Sequence, residues 1–137
     1  MARLMSVSLT EDAVRSRRKT VTRRLGWRML KPGDHLQLCR KVMGRKPGEP
    51  LERIAMVEVV SARQERLDAV TPEDVRREGF DLRTDPHPAD AQWFVDFFTA
   101  HMKCRPDTLV TRIEWRYLTE DAPELAGRSV PAECEPS

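Results

Sequence analysis

The chain has 137 residues, of which 39% are hydrophobic and 34% are charged. This length suits one domain with a single modest core, and the composition excludes the membrane-embedded and intrinsically disordered classes. The net charge of +2 hides an asymmetry, because residues 1–46 carry 13 Lys and Arg against three acids whereas residues 119–137 carry five acids and one Arg. A basic front end of this kind is typical of phosphate recognition, and an ordinary basic surface is the alternative.

Targeting segments and metal sites are not indicated by the sequence. No apolar run approaches the ~20 residues that span a bilayer, and MARLMSVSLTED lacks the apolar core of a signal peptide. The sequence therefore predicts a cytoplasmic protein without a membrane segment. The cysteines and histidines are widely spaced, at Cys39, Cys104, Cys134, His35, His87 and His101. We expect reduced thiols, structural histidines, no metal and no cofactor.

Short extended segments dominate the first half of the chain. Residues 3–8 are predicted to form a strand, and Ser8-Leu9-Thr10-Glu11 has the form of a capping box that starts a short helix. The β-branched run Thr20-Val21-Thr22 favours a second strand. After a Pro32-Gly33-Asp34 turn, HLQLCRKV and residues 51–62 are predicted as antiparallel strands joined by the loop GRKPGEP.

The second half is predicted to hold two helices. Thr71-Pro72-Glu73 combines an N-cap with a proline in the first turn, so a short helix should run to Glu78 and stop at Gly79. The stretch DLRTDPHPAD is predicted as a loop, and residues 89–101 as a helix. Its aromatic residues at helical spacing are Trp93, Phe94, Phe97 and Phe98. We expect them to belong to the core.

A closing strand and a tail complete the predicted organisation. Residues 107–118 alternate as a half-buried strand does, with Arg112, Glu114 and Arg116 on the face opposite the apolar one. Residues 119–137 are acidic and rich in proline, which predicts a mobile tail. Short strands with inserted helices indicate an α+β domain built on a small barrel or a strongly bent sheet.

The order of these pieces resembles a known family. KTVTRR, KPGDHLQL, IAMVEVV, TPEDVRREGF, an aromatic helix and VTRIEWRYL follow one another over residues 3–118. This order resembles the ASCH domain, a branch of the PUA-like superfamily. The resemblance implies an α+β fold over residues 1–118, with a small PUA-like β-barrel and flanking helices. It also implies a cleft between the KTVTRR and REGF segments that binds RNA, a nucleotide or a modified nucleoside.

The resemblance to one small bacterial ASCH branch implies a chemical activity. That branch is an amidohydrolase that removes the acetyl group of N4-acetylcytidine with a Lys, a Thr and a Glu, which fall on Lys19, Thr22 and Glu78 here. A threonine hydroxyl needs a base, and lysine serves as one when burial and neighbouring arginines lower its pKa. Glu78 would orient the substrate amine or transfer a proton. The GRKPGEP loop, the DLRTDPHPAD insertion and the acidic tail depart from that branch.

The segment RSRRKTVTRR supplies the candidate ligand contacts. In a strand, Thr22 and Arg24 share one face and Lys19 points to the other, so the chain must bend near Lys19 to bring it towards Thr22. We therefore predict a helix-to-strand junction that lines a pocket, with the remaining arginines facing an anion. Trp27 would stack on a base or lie in the core or rim. The candidate ligand-binding residues are Thr20, Arg24, Arg18, Arg23 and Trp27.

The same residues also have structural roles as alternatives to ligand binding. The threonines are good strand formers, Arg24 can pair with a local carboxylate, and Glu78 can bridge groups near a helix end. A third class of function is a protein-interaction module that uses the acidic tail or an aromatic surface.

Overall fold

A mixed five-stranded sheet forms the frame of the protein, whose computed structural model describes residues 2–80, 82 and 85–118. The strands are β1 (Arg3–Ser6), β2 (Val21–Arg24), β3 (His35–Cys39), β4 (Arg53–Arg66) and β5 (Leu109–Tyr117). Their order is β1-β3-β4-β5-β2, so β1 and β2 form the two edges of a curled half-barrel. The β1–β3 pair is parallel and the other pairs are antiparallel.

Three helices accompany the sheet, as the predicted α+β class requires. They are α1 (Glu11–Arg15), α2 (Pro72–Arg77) and α3 (Pro88–Met102). The capping-box prediction was wrong, because Ser8 lies inside a 3₁₀ turn that precedes α1 and no side chain caps either segment. The start of α2 is as expected, since the Thr71 side chain accepts a hydrogen bond from the backbone N–H of Asp74 at 3.1 Å.

Two strands differ from their predicted form. β4 continues to Arg66, with an irregularity between Val59 and Ser61, and so exceeds the predicted 51–62 segment. β5 is not half-exposed along its middle, because Arg112, expected on the open face, is buried. Asp74 of α2 pairs with Arg112 on that side of the strand, and Val75 of α2 and Phe94 of α3 share an apolar cluster with Val110 of β5.

Two apolar clusters lie on opposite sides of β5. One cluster contains Leu36, Leu38, Ile113 and Trp115 from the sheet. The other contains Phe94 of α3 and Val110 of β5 among its buried residues. Since Ile113 and Val110 are an odd number of residues apart, strand alternation sends them to opposite faces. The sheet is therefore covered on both faces near the start of β5.

Several sequence expectations concern features beyond the core. Cys39 and Cys104 are free thiols, whereas Cys134 and the acidic tail of residues 119–137 lie outside the described residues. Within residues 2–80, 82 and 85–118, no helix has the length and hydropathy of a membrane span. The same described part of the chain contains no cluster of three His, Cys, Asp or Glu placed to hold a metal ion.

Candidate ligand cavity

A cavity of ≈ 210 Å³ opens beside β2 and the end of β1. Its polar floor is formed by Lys19, Thr22, Arg24 and Glu78, and Arg23 also borders the cavity. Its aromatic wall is formed by Phe80, Phe94, Phe97, Phe98 and His101, and the segment 6–10 with Met102 completes the lining. The volume is below the roughly 300–1,000 Å³ typical of pockets for drug-sized ligands, so the cavity suits a ligand of about one ring system.

Lys19 reaches the floor because the chain bends sharply after α1. The backbone N–H groups of Arg18 and Lys19 both donate to the carbonyl of Ala13, at 2.8 and 3.1 Å. The Lys19 carbonyl then accepts hydrogen bonds from Trp115 Nε1 at 3.0 Å and from Tyr117 Oη at 2.6 Å. These bonds fix the backbone on the β5 side and leave the Lys19 side chain, 2% exposed, facing Glu78.

The amine of Lys19 is buried, and its pKa is lowered. Nζ donates to the backbone carbonyl of Glu78 at 2.6 Å and to its Oε1 at 3.3 Å. Burial lowers the pKa of Lys19 to about 8, with Glu78 opposing this change and Arg24 and Arg23 reinforcing it. A neutral amine has two N–H donors and one lone pair. With both donors directed at Glu78, the lone pair is left to accept a proton.

Glu78 is placed by the end of α2. It follows the last residue of the helix, and Gly79 after it has φ +106°, a conformation that favours glycine. A Cβ on Gly79 would lie 2.7 Å from Cβ of Ala13, so the glycine also lets this turn approach α1 closely. Glu78 Oε2 accepts from Arg23 Nη1 at 3.2 Å, so both carboxylate oxygens are engaged.

Thr22 and Arg24 form the second half of the floor. Arg24 Nε donates to Thr22 Oγ1 at 3.4 Å, and its Nη2 donates to the Ser6 carbonyl at 2.5 Å. Burial lowers the pKa of Arg24, and Glu78 opposes this effect. Arg24 makes no ion pair with a carboxylate in the described part of the chain. Nor does a hydrogen bond join Lys19 to Thr22 there, although both side chains line the cavity.

Arg23 points its guanidinium into a buried ion-pair network rather than towards a ligand. It contacts Glu65 at 2.8 Å, Asp74 at 2.5 Å and Glu78 at 3.2 Å. Asp74 also pairs with Arg112 at 2.9 Å. Burial alone raises the pKa of Asp74, but hydrogen bonds from Arg112 and Arg23 outweigh it and lower that pKa to about 2. Arg23, which was predicted to contact a ligand anion, thus has three carboxylate partners in the protein while it also lines the cavity.

Comparison with known proteins shows similarity in fold to solved structures but finds no curated protein of similar sequence. No family model and no curated protein matches the chain. The structure of protein EF3133 from Enterococcus faecalis V583, with family model DUF984, superposes with a TM-score of 0.59 at 14% identity, covering 86% of this chain and 80% of that one. An ASCH domain structure from Lactobacillus crispatus JV V101 gives a TM-score of 0.55 at 15% identity, covering 85% and 79%. The chain has the ASCH-domain fold.

In this ASCH-fold protein, three of the sequence-derived ligand candidates lie outside the cavity lining. Thr20 Oγ1 accepts from Arg77 Nε at 3.1 Å, and Arg18 Nε donates to Ser16 Oγ at 2.9 Å. Trp27 packs against the sheet core and lines a separate shallow groove with Leu4 and other residues. The structure thus brings together Lys19, Thr22, Arg24 and Glu78 and leaves Trp27 on the other groove.

The aromatic wall of the ASCH-fold cavity includes residues that the sequence analysis assigned to the core or did not assign. Phe94 and Phe98 are buried as expected for core residues, yet they also border the cavity. Phe97 and His101 were not assigned to the site from the sequence, and Phe80 was assigned only as part of the REGF segment, but all three line the cavity. The available signal was His101, which follows Phe97 by four residues and therefore lies on the same helix face.

Proposed function

We propose that the cavity binds a single nucleoside unit, either free or as one nucleotide of RNA. The observation that carries this proposal is the combination, in one small cavity, of the cationic floor of Lys19 and Arg24 with the aromatic wall of Phe80, Phe97 and His101. A nucleobase has a flat aromatic face and an edge of hydrogen-bond donors and acceptors. Proteins recognise such bases by stacking and by edge contacts.

The charge of the floor supports a ligand that brings oxygen acceptors. Lys19 and Arg23 share Glu78, whereas Arg24 has no carboxylate ion pair among the described residues. A partly buried guanidinium of this kind has lost water without gaining an anion, which leaves N–H donors for a carbonyl, carboxylate or phosphate. The polar edge of the ligand would accept hydrogen bonds from the remaining N–H donors of Arg24.

Phosphate contacts are expected to be few. Several cations of the basic front end are committed to acids: Arg15 pairs with Glu11 and Glu52, and Lys41 lies 3.6 Å from Glu49. Each phosphate contact contributes roughly −0.7 to the slope of log K against log salt for a single strand. The affinity of this cavity for RNA should therefore fall only slightly with added salt, as expected for about one or two phosphate contacts.

Calorimetric titration tests this function. Wild-type protein would be titrated with cytidine, adenosine, N4-acetylcytidine and a short single-stranded RNA, with ribose 5-phosphate as the baseless control. We expect binding to at least one base-containing probe and tenfold or greater weakening by Arg24→Met. Arg116→Met, which removes an exposed arginine outside the cavity, should leave affinity unchanged. Absence of binding to every probe would overturn the proposal and favour a protein-interaction module.

A second candidate function is hydrolysis of an N4-acylated cytidine, and the state of Lys19 is the observation that favours it. With a pKa near 8, Lys19 is partly neutral at neutral pH and can take the proton of the Thr22 hydroxyl. Thr22 Oγ would bond to the acyl carbon, the carbon–nitrogen bond would break, and the cytosine amine would leave with the proton. Water would then release acetate from the acyl-threonine. Arg24, whose Nε lies 3.4 Å from Thr22 Oγ1, would donate to the oxyanion that develops on the acyl oxygen.

Acetate release from N4-acetylcytidine tests the second candidate. Lys19→Ala and Thr22→Val should abolish release, while Thr22→Ser should retain part of it because a hydroxyl persists. The rate should rise with pH through about 8, as expected for a base that works when neutral. Glu78→Gln should move this midpoint to lower pH, since Glu78 raises the pKa of Lys19. Undiminished release by Lys19→Ala would overturn the hydrolase mechanism and leave the binding proposal standing.

A further inference from the structure

A stack of three rings runs along one face of α3. Trp93, Phe97 and His101 are spaced four residues apart, which places them on one side of a helix. The ring centroids of Trp93 and Phe97 are 5.3 Å apart with an interplanar angle of 6°. Those of Phe97 and His101 are 5.1 Å apart with an angle of 29°. Both separations are typical of attractive aromatic pairs, so the stack is continuous over two helical turns.

The two ends of this stack have different surroundings. Trp93 lies outside the cavity lining and packs edge-on against Phe80, with centroids 5.4 Å apart. His101 lines the cavity, is exposed, and has Phe97 as its aromatic partner. Among the described residues no hydrogen bond or ion pair engages the His101 imidazole. The Trp93 end packs against Phe80 outside the cavity and is 38% exposed, whereas the His101 end lies at the cavity with a ring face that no described ring covers.

The mouth of the cavity is apolar around this ring. Leu9 and Met102 line the cavity and are 61% and 44% exposed. The cavity thus combines a polar floor and the hydroxyls of Ser8 and Thr10 with an aromatic wall and the apolar side chains of Leu9 and Met102. A ligand with a polar edge and an aromatic face matches this combination, whereas a sugar phosphate alone does not.

We propose that His101 is the stacking platform for the ligand's base, so that the bound base becomes the fourth ring of the α3 stack. This inference rests on the proposed nucleoside function and adds the group that recognises the aromatic face. Stacking tolerates any base, because every base has a π-face. The floor therefore selects the base by its edge, while His101 supplies affinity for any planar heteroaromatic ring and none for a baseless sugar phosphate.

A purely helical role for His101 makes a different prediction. A histidine in the last turn of a helix can stabilise the helix through its charge and the helix dipole. Replacement by phenylalanine removes that charge but keeps an aromatic ring. His101→Phe therefore separates stacking from the dipole effect, and His101→Ala removes both.

The test is calorimetric titration of three full-length variants with cytidine, adenosine and ribose 5-phosphate. His101→Ala should weaken binding of both nucleosides by roughly fivefold to 100-fold, the range for loss of one base–ring stack. His101→Phe should retain affinity within about threefold of wild type. Trp93→Ala is the matched control, because it removes the ring at the packed end of the same stack and should change affinity less than His101→Ala does.

The outcomes separate this inference from the function on which it rests. If wild-type protein binds no nucleoside, the proposed function fails and takes the platform with it. If wild type binds and Arg24→Met does not, but His101→Ala binds as wild type does, the platform alone is overturned. The platform is also overturned if His101→Phe is as weak as His101→Ala, or if Trp93→Ala weakens binding equally.

Discussion

Arg23 and Arg24 are neighbours in one strand and have opposite electrostatic surroundings. Arg23 is 3% exposed and forms ion pairs with Glu65, Asp74 and Glu78. Arg24 donates to a hydroxyl and a carbonyl and, within the described residues, to no carboxylate. Strand alternation explains the difference, because consecutive side chains leave β2 on opposite faces. We name the two regions the paired network (Arg23, Glu65, Asp74, Arg112) and the cavity floor (Lys19, Thr22, Arg24, Glu78).

The difference separates buried charges that protein carboxylates already neutralise from a charge that lacks such a partner among the described residues. Breaking a buried pair leaves an uncompensated charge and is strongly destabilising. An arginine that has lost water without gaining an anion costs stability in the free protein, and that cost is offset when a ligand supplies the missing acceptor. The paired network therefore has the contacts expected of structural charges, and the Arg24 guanidinium on the cavity floor has the unpaired donors that the proposed ligand would engage.

The largest expected effect comes from breaking the paired network. Asp74→Asn removes the carboxylate shared by Arg23 and Arg112, so the free energy of unfolding should fall by about 3–5 kcal/mol. Urea denaturation measures this loss. Asp68→Asn, which breaks an exposed pair with Arg66, is the control and should have a far smaller effect. Equal losses in the two variants would contradict the distinction between the regions.

The protonation of Lys19 should link stability to pH in the cavity floor. Its pKa is about 8 in the folded protein against 10.5 for the ordinary side chain. Between these values the unfolded chain binds more protons, so unfolding free energy rises with pH by an amount on the order of 3 kcal/mol. The gain is complete above pH 10.5 and is lost as pH falls through 8. Burial is the main cause of this lowered pKa, while Glu78 opposes it and Arg24 and Arg23 add to it.

Lys19→Met isolates that pH dependence. The difference in unfolding free energy between wild type and Lys19→Met should change across pH 8 to 10 in favour of wild type. Urea denaturation at several pH values measures it. A difference that stays constant with pH would show that Lys19 keeps its ordinary pKa in the folded protein.

A smaller loss of stability is expected from a substitution at Gly79, in the turn that follows Glu78 of the cavity floor. Gly79→Ala forces a side chain into a conformation with φ +106° and places Cβ 2.7 Å from that of Ala13. The free energy of unfolding should fall by more than about 1 kcal/mol. Gly44→Ala is the matched control, because Gly44 also has positive φ (+77°) but has no atom within 4 Å of the added Cβ. Equal losses in thermal or urea unfolding would exclude the close packing of this turn as a cause.

The smallest expected change in stability comes from Arg24→Met. Replacing a desolvated arginine that lacks a carboxylate partner by an apolar side chain of similar length should alter the free energy of unfolding by less than about 1 kcal/mol. Nucleoside binding should fall in the same variant. A loss of stability as large as that of Asp74→Asn would place Arg24 in the structural class and remove the contrast with Arg23.

The sequence predicts the frame of this protein well because its local signals are strong. β-branched runs mark the strands, and Thr71-Pro72 with Gly79 marks both ends of α2. The bend that brings Lys19 to the floor follows from strand alternation and the end of α1. The convergence of Lys19, Thr22, Arg24 and Glu78 was expected from the family resemblance, since no local rule links residues 19 and 78.

Other features depend on contacts that no local pattern records. Arg23 was expected to face an anion, but its partners Glu65 and Asp74 lie 42 and 51 residues away in the chain. The spacing of Phe94, Phe97 and Phe98 shows that one helix face is apolar, but it does not show that a cavity borders that face. For the same reason, the sequence pattern does not decide where the Trp27 side chain lies, because its position depends on the loop after β2.

The central claim is that the cavity floor binds a nucleoside while the paired network does not take part. Side-chain NMR of wild-type protein titrated with cytidine tests it directly. The account predicts that signals of Lys19, Thr22 and Arg24 shift with cytidine concentration while the guanidinium signals of Arg112 stay in place. Shifts confined to the Trp27 groove, or no shifts at millimolar cytidine, adenosine and N4-acetylcytidine, would contradict it.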